Sequence, residues 1–119
     1  MDRKEGERSL LLQFLGDKPK WRIIDFMLEN RLQDFTKTEI ANGAGLSWAR
    51  LFHYWDEIER KKIVKLTRTV GRAKLYQLNE NSPLVILLKN IDVTLIRQAA
   101  DLEEEEAAMK VPARARNRR

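Results

Sequence analysis

Residues 36–78 read TKTEIANGAGLSWARLFHYWDEIERKKIVKLTRTVGRAKLYQL, and this stretch decides the fold. Thr36 followed three residues later by Glu39 is a capping box, a pattern that opens a helix because each side chain satisfies a free backbone N–H group. It predicts a short helix over residues 37–42. Gly43 to Gly45 then predict a sharp turn, since glycine accepts backbone conformations that other residues avoid.

A second, longer helix follows the turn, over residues 48–61. Ser47 is its predicted N-cap, because a serine hydroxyl accepts a hydrogen bond from a free N–H group at a helix start. Leu51, Trp55 and Ile58 recur at spacings of four and three, the period of one helix face. We therefore expect these three side chains to face the core.

The apolar period then changes from helical to alternating, which is typical of strands. Apolar and polar residues alternate on both sides of Gly71, which offers a turn, and Tyr76 and Leu78 are the predicted inward pair. The pattern predicts a β-hairpin in which residues 63–69 pair with residues 73–78. The tip of this hairpin is basic.

The predicted elements follow the order of a winged helix-turn-helix: helix, short helix, glycine turn, helix and basic hairpin. The predicted fold class is therefore mainly α with a small β-hairpin (α+β), and the winged domain is expected to span residues 9–82. In such a fold the N-terminal half of the second motif helix enters the major groove of DNA. The hairpin, or wing, lies along the neighbouring minor groove or its phosphates.

The outward face of the second motif helix holds the candidate base contacts. The helical period turns Ala49, Arg50 and His53 away from the core. Arg50 is suited to a guanine edge, which accepts two hydrogen bonds, and Trp48 or Phe52 to a thymine methyl group or the sugar backbone. The alternative for these two aromatic residues is packing against the N-terminal helix, and for His53 a solvent-facing or phosphate-facing ring.

The predicted DNA-binding residues also come from the first motif helix and the wing. Residues 60–74 hold seven basic residues and no acidic one, so a polyanion is attracted there. The full predicted set is Thr36, Lys37, Ser47, Trp48, Ala49, Arg50, Phe52, His53, Lys65, Arg68, Arg72 and Lys74.

The last element is a long helix that begins after Ser82-Pro83, a cap followed by proline at the first helical position. Nothing breaks it between residues 83 and 110. One stripe of it follows a 4-3-4-3-4 spacing, the pattern of a coiled-coil seam with one polar position. We expect this seam to hold a homodimer together, the alternative being an intrachain contact. Its residues are Leu84, Leu88, Ile91, Leu95, Gln98 and Leu102.

The two ends of the chain flank these elements. Residues 1–8 are expected to be flexible, and Ser9 to cap a short apolar helix that ends at Gly16. A second helix is expected over residues 18–32, with Asp17 as cap candidate and Ile24, Leu28 and Leu32 as its buried stripe. Residues 111–119 carry four arginines and no acid, and are expected to form a disordered basic tail.

Composition narrows the function. The chain has 119 residues, a formal net charge of +5, no cysteine and one histidine. It offers no disulfide, no thiolate nucleophile, no glycine-rich phosphate loop and no metal-binding pair, so an enzyme is not expected and no cofactor is predicted. The longest apolar run is far shorter than a membrane span. A small basic chain of this kind points first to an anionic polymer as its partner. With the winged helix-turn-helix motif, the expected partner is double-stranded DNA, in the cytoplasm and on the nucleoid.

The chain resembles small archaeal winged helix-turn-helix proteins of a transcriptional regulator family. The resemblance covers roughly residues 9–92, and its most specific part is the wing sequence Val-Gly-Arg-Ala-Lys-Leu-Tyr that begins at Val70. It implies DNA binding, usually by a dimer. The chain departs from the usual pattern in its aromatic second motif helix, in Lys61-Lys62 where a glycine is common, and in its arginine tail.

Three functions agree with these observations. The first is a dimeric, sequence-specific transcription regulator that binds a palindromic site with half-sites about one helical turn apart. The second is an architectural or plasmid-partition protein that coats DNA with little sequence preference. The third is a winged-helix adaptor that binds another protein. No small-molecule effector can be inferred from the residues.

Overall fold

The computed structural model describes residues 8–110, so the expectations for residues 1–7 and for the tail, residues 111–119, lie outside the described part of the chain. Seven elements follow one another along the chain. Four helices come first, then the two strands of a hairpin, and then a long helix. They are α1 (Leu10–Leu15), α2 (Pro19–Glu29), α3 (Lys37–Ala44), α4 (Trp48–Arg60), β1 (Val64–Val70), β2 (Ala73–Leu78) and α5 (Pro83–Lys110). The fold class is the predicted one: mainly helical, with a two-stranded antiparallel hairpin and a long last helix.

One apolar core joins all of these elements. Ile23, Met27, Ile40, Leu51 and Ile58 are among its fully buried side chains. The core also takes in the base of the hairpin and the first turns of α5. Burial of such side chains removes apolar surface from water, which is the main favourable contribution to the stability of the fold.

A short polar network fixes α1 on α2. The Leu12 N–H group donates to Ser9 Oγ at 3.1 Å, so Ser9 is the predicted cap of α1. The same hydroxyl donates to the carboxylate of Asp25 on α2 at 2.7 Å. Asp25 is buried, and a buried carboxylate requires a donor of this kind. The cap therefore also sets the packing of the two helices.

Helix α2 is shorter than the sequence predicts. It ends at Glu29, where the Asn30 N–H group and side chain both bond the Phe26 carbonyl. Leu32 lies in the following turn and is 72% exposed. The prediction that Leu32 belongs to the buried stripe is therefore wrong, because the helical period does not continue past the cap. The N-cap is Lys18 rather than Asp17, whose carboxylate pairs with Arg8 at 2.7 Å.

Helix α3 runs two residues further than predicted and includes Gly43. A Cβ atom at Gly43 would collide with the ring of Phe26 on α2, so glycine here permits close packing of the two helices rather than the turn. The turn depends on Gly45, the C-cap of α3, which has a φ of 70° in the left-handed region.

Helix α4 matches its predicted phase. Leu51, Trp55 and Ile58 are all buried. After its C-cap, Lys62 takes a φ of 60°, a left-handed conformation that glycine adopts more readily than lysine. The Lys62 and Ile63 N–H groups close the helix end by bonding the Glu59 and Ile58 carbonyls.

The wing consists of β1, β2 and the turn between them. Tyr76 and Leu78 are buried as predicted, but Leu66 on β1 is exposed, because only the base of the hairpin reaches the core. A β-bulge interrupts the pairing between Leu66 and Arg68. Phe35 forms a further bridge to Tyr76, with N–O distances of 2.8 and 2.7 Å, which ties the wing to the start of α3.

Helix α5 has the predicted bounds, Pro83–Lys110. Of the predicted seam, Leu88 is only 6% exposed and belongs to the core of its own chain, so its burial requires no second copy. Leu95 is half-buried against the same core. From residue 100 to residue 110 every side chain is exposed, so the last turns of α5 project past the domain. Within residues 8–110, no helix is both long and apolar enough to cross a membrane.

Candidate nucleic-acid interface

Two capped helix starts and the wing meet at one cleft, which we call the wing cleft. At the start of α3 the Glu39 N–H group donates to Thr36 Oγ1 at 3.2 Å, and the Thr36 N–H group donates to Glu39 Oε1 at 2.9 Å. At the start of α4 the Arg50 N–H group donates to Ser47 Oγ at 3.2 Å. The predicted caps therefore fix both helix starts. The helix starts in turn position the residues that lie beside the cleft.

The wing cleft has a volume of about 380 Å³. It brings together Lys37 from α3, Trp48 from α4, and Arg72 and Lys74 from the wing. None of the described residues that line it is acidic, so the cleft attracts anions. The lining residues are Thr36, Lys37, Thr38, Trp48, Arg72, Ala73, Lys74 and Tyr76.

The ammonium group of Lys37 is held at this cleft by two aromatic rings. Its Nζ atom lies 5.7 Å from the centroid of the Trp55 ring and 5.8 Å from that of Tyr76, and both distances permit cation–π attraction. Burial raises the pKa of the Tyr76 phenol above its usual value, so this ring stays neutral and adds no negative charge. Lys37 therefore presents its charge from a defined position.

Trp48 and Phe52 form an exposed aromatic pair on the first turns of α4. Their ring centroids lie 5.1 Å apart with an interplanar angle of 18°, so the rings are stacked. Trp48 is 50% exposed and Phe52 58% exposed. Packing against the N-terminal helix, the alternative reading of these residues, is therefore not what the structure shows. The pair lies beside the wing cleft, which Trp48 lines and Phe52 does not.

The other outward residues of α4 line a second cleft, between α4 and the start of α2. It has a volume of about 490 Å³ and includes Ala49, Arg50 and His53, together with Lys18 and Tyr54. The exposed face of α4 thus separates the two clefts, with cationic side chains on both sides. Lys18 was not among the predicted residues, because no local pattern tells which helix start packs beside α4.

Further along α4, a carboxylate is neutralised by lysines. Glu57 Oε2 lies 3.0 Å from Nζ of Lys20 on α2 and 3.0 Å from Nζ of Lys61. The hydrogen bonds from these two lysines lower the pKa of Glu57. This acid on the outward side of the helix therefore adds little repulsion toward an anionic partner.

Arg68, a predicted DNA-binding residue, has its guanidinium group bound by Asp34. Nε and Nη2 of Arg68 lie 2.9 and 3.2 Å from the two carboxylate oxygens, and the Thr67 hydroxyl donates to Oδ2 at 2.7 Å. The bulge at Thr67 re-aims the side chains that follow it, which strand alternation alone does not show. Asp34 is thus a residue of this surface that the sequence analysis missed.

The Asp34–Arg68 pair is insensitive to pH in the neutral range. Hydrogen bonding from Arg68, and then from Thr67, lowers the pKa of Asp34 below its ordinary value of 3.8. A lowered folded-state pKa means that the contact is fully present above the unfolded value and is lost only as the pH falls through the lowered one.

The remaining predicted residues lie outside both clefts. Ser47 serves as the cap of α4, and Lys65 is exposed on β1 without lining either cleft. The wing cleft therefore unites Thr36, Lys37, Trp48, Arg72 and Lys74, while Arg68 and Lys65 lie apart from it. Thr38, Ala73 and Tyr76 complete its lining and were not predicted.

Comparison with solved structures places this arrangement among winged-helix proteins. MepR, a transcription regulator of the Staphylococcus aureus multidrug efflux pump MepA, matches with a TM-score of 0.57 at 20% identity over 84% of this chain and 76% of MepR. The apo form of a mutant Lactococcus lactis ZitR matches with a TM-score of 0.55 at 20% identity, over 83% of this chain and 81% of ZitR. The transcriptional regulator PA3341 matches with a TM-score of 0.53 at 19% identity, over 90% of this chain and 85% of PA3341.

The chain thus has the winged-helix fold of these regulators. No protein-family model and no curated protein sequence matches it. At identities of 20% and below the likeness concerns the fold, and function must be argued from the surface of this chain.

Proposed function

We propose that this protein is a homodimeric transcription regulator that binds double-stranded DNA. The wing cleft is the observation that carries the proposal, because it brings Lys37, Arg72 and Lys74 together without an acidic neighbour. Three cations around one cleft suit the phosphates of a duplex backbone. A protein with this function acts in the cytoplasm, where it is bound to the nucleoid.

The exposed face of α4 is the proposed base-reading element. Arg50 lies on its first turns, away from the core, where a recognition helix contacts base edges. The guanidinium group can donate two hydrogen bonds to a guanine, which specifies that base. The wing, with Arg72 and Lys74, then contacts the flanking backbone or minor groove and sets the register of α4.

The proposed dimer forms through α5. Leu87 is 60% exposed and Ile91 36% exposed, and with Phe14 of α1 they line an apolar cleft of about 520 Å³. Every side chain in the last turns of α5 is exposed, and a helix without tertiary packing is only marginally stable in water. The helix of a second copy would cover this face. Leu84, Ile91, Leu95, Gln98 and Leu102 remain in the proposed seam, without Leu88.

A titration against DNA distinguishes the proposed regulator from the two other functions. The full chain is mixed with fragments of its own genome and with random duplexes at several salt concentrations. A regulator retains a few fragments at physiological salt and binds them about 10³-fold or more tightly than random DNA. Equal retention of all duplexes with a steep salt dependence would instead indicate an architectural or partition protein. Absence of binding at low salt would contradict the proposal and leave the protein-binding adaptor.

Replacing Asp34 with asparagine is expected to strengthen duplex binding. The change removes a negative charge from the wing and releases the Arg68 guanidinium group for a phosphate. One additional phosphate contact makes the slope of log K against log salt concentration steeper by about 0.9. Fluorescence anisotropy with a labelled duplex at several salt concentrations measures this slope.

Asp56→Asn is the matched control for Asp34→Asn. It removes the same charge, but Asp56 pairs with Arg60 in an exposed contact within α4, so no wing arginine is released. Equal changes in the salt slope for the two variants would show that only net charge matters.

A further inference from the structure

We propose that the same surface has a second binding mode, in which the wing cleft and the Trp48–Phe52 pair hold an unpaired nucleotide of single-stranded DNA. This inference rests on the proposed DNA-binding surface. It adds a ligand class that duplex recognition by α4 does not include. Two observations together carry it, the stacked aromatic pair and the cations that surround its free side.

The first observation is the geometry of the aromatic pair. Phe52 stacks on one face of the Trp48 indole at 5.1 Å between centroids, yet half of Trp48 stays exposed. Trp48 lines the wing cleft and Phe52 does not, so a ligand in the cleft can contact the indole. An exposed aromatic pair beside a cluster of cations is a candidate contact surface for a partner with flat rings.

The second observation is the charge around that free side. Lys37, Arg72 and Lys74 line the same cleft as Trp48, and no described acidic residue lines it. A base with its phosphate carries a flat π-face and a negative charge a short distance apart. The cleft offers a matching flat ring and cations, which is the combination that binds single strands: bases stack on aromatic side chains while cations follow the backbone.

The chemistry of the duplex explains why the partner is an unpaired base. In a duplex the base faces are covered by their neighbours, and only base edges are available in the grooves. A ring of Trp48 can touch a thymine methyl group there, but it cannot stack. An unpaired base exposes its whole face, so only a single strand uses the free face of the indole. Phe52 stacks on the indole and extends the aromatic surface.

The test compares three ligands by fluorescence anisotropy, each labelled and about 10 nucleotides long. They are an oligothymidylate, an abasic strand with the same number of phosphates, and a duplex. We expect the oligothymidylate to bind about 5- to 100-fold more tightly than the abasic strand, because stacking acts on the base alone. Trp48→Leu should remove this advantage and leave abasic binding unchanged, whereas Trp48→Phe should keep most of it.

The variants separate stacking from general damage. Trp48 lies outside the buried core, so Trp48→Leu should keep the fold, which circular dichroism checks. Equal affinity for the oligothymidylate and the abasic strand, with duplex binding intact, would overturn this inference alone. Equal weakening of oligothymidylate and abasic-strand binding by Trp48→Leu would also overturn it. Failure of the unmodified chain to bind any of the three ligands would overturn the proposed function as well.

Discussion

Replacing Arg72 and Lys74 together with alanine is expected to weaken duplex DNA binding by about 100-fold or more. Both side chains line the wing cleft, and each hydrogen bond between a charged group and a phosphate contributes about 1.5–3 kcal/mol. Because two phosphate contacts disappear, the slope of log K against log salt concentration should fall by about 2. The loss should be similar for all duplex sequences, since phosphates carry no base information.

A double variant of α5 is the control for Arg72→Ala with Lys74→Ala. Arg97→Ala with Lys110→Ala removes the same two positive charges from exposed positions far along that helix. Only the general attraction between protein and DNA falls in this control, and salt screens that attraction over about 8–10 Å. If both double variants lose the same affinity at physiological salt, the wing cleft is not the phosphate-binding site.

Replacing Leu87 and Ile91 together with glutamate is expected to convert the dimer to a folded monomer. Both side chains are exposed on one protomer, so the fold of that protomer should persist. In a two-fold interface each substitution occurs twice, and four carboxylates would have to be buried side by side. Sedimentation should then give the 14.0 kDa mass of one chain instead of twice that value.

The opposite side of α5 provides the control for Leu87→Glu with Ile91→Glu. Ile86 and Val93 are also exposed and apolar, but the helical period turns them away from the proposed seam. Ile86→Glu with Val93→Glu adds the same negative charge and should leave the dimer intact. If the Leu87→Glu, Ile91→Glu variant still sediments at the mass of two chains, the proposed interface is refuted.

Loss of the dimer should also weaken DNA binding. A dimer that occupies both half-sites of a palindrome gains from the second contact, because the tether raises its effective concentration. The monomeric variant should therefore bind a full site no more tightly than a single half-site. Duplexes with one and two half-sites, titrated side by side, measure this difference.

The elements that depend on neighbouring residues could be predicted from sequence. The capping box at Thr36 and the cap at Ser47 use side chains within three positions of the bonds they make, so local pattern is enough. The bounds of α5 follow from a serine, a proline and an unbroken run of helix-forming residues. Leu51, Trp55 and Ile58 are buried because one period governs the whole of α4.

The errors occur where a pattern crosses an element boundary or meets a distant partner. Leu32 keeps the helical spacing in sequence, but the helix has already ended at Glu29. Leu88 has the spacing of a dimer seam, yet it is buried in the core of its own chain. Gly43 reads as a turn glycine, and only the ring of Phe26 on another helix explains why a side chain is excluded there.

The sequence by itself determined the order of elements, the starts of α1, α3, α4 and α5, the buried face of α4 and the concentration of positive charge around the wing. These properties depend on spacing and on bonds between near neighbours. The tertiary structure alone decided which cations share a cleft, that Asp34 binds Arg68, and that Trp48 stacks on Phe52 while half of Trp48 stays exposed. Such contacts depend on how elements pack in space, which local spacing does not encode.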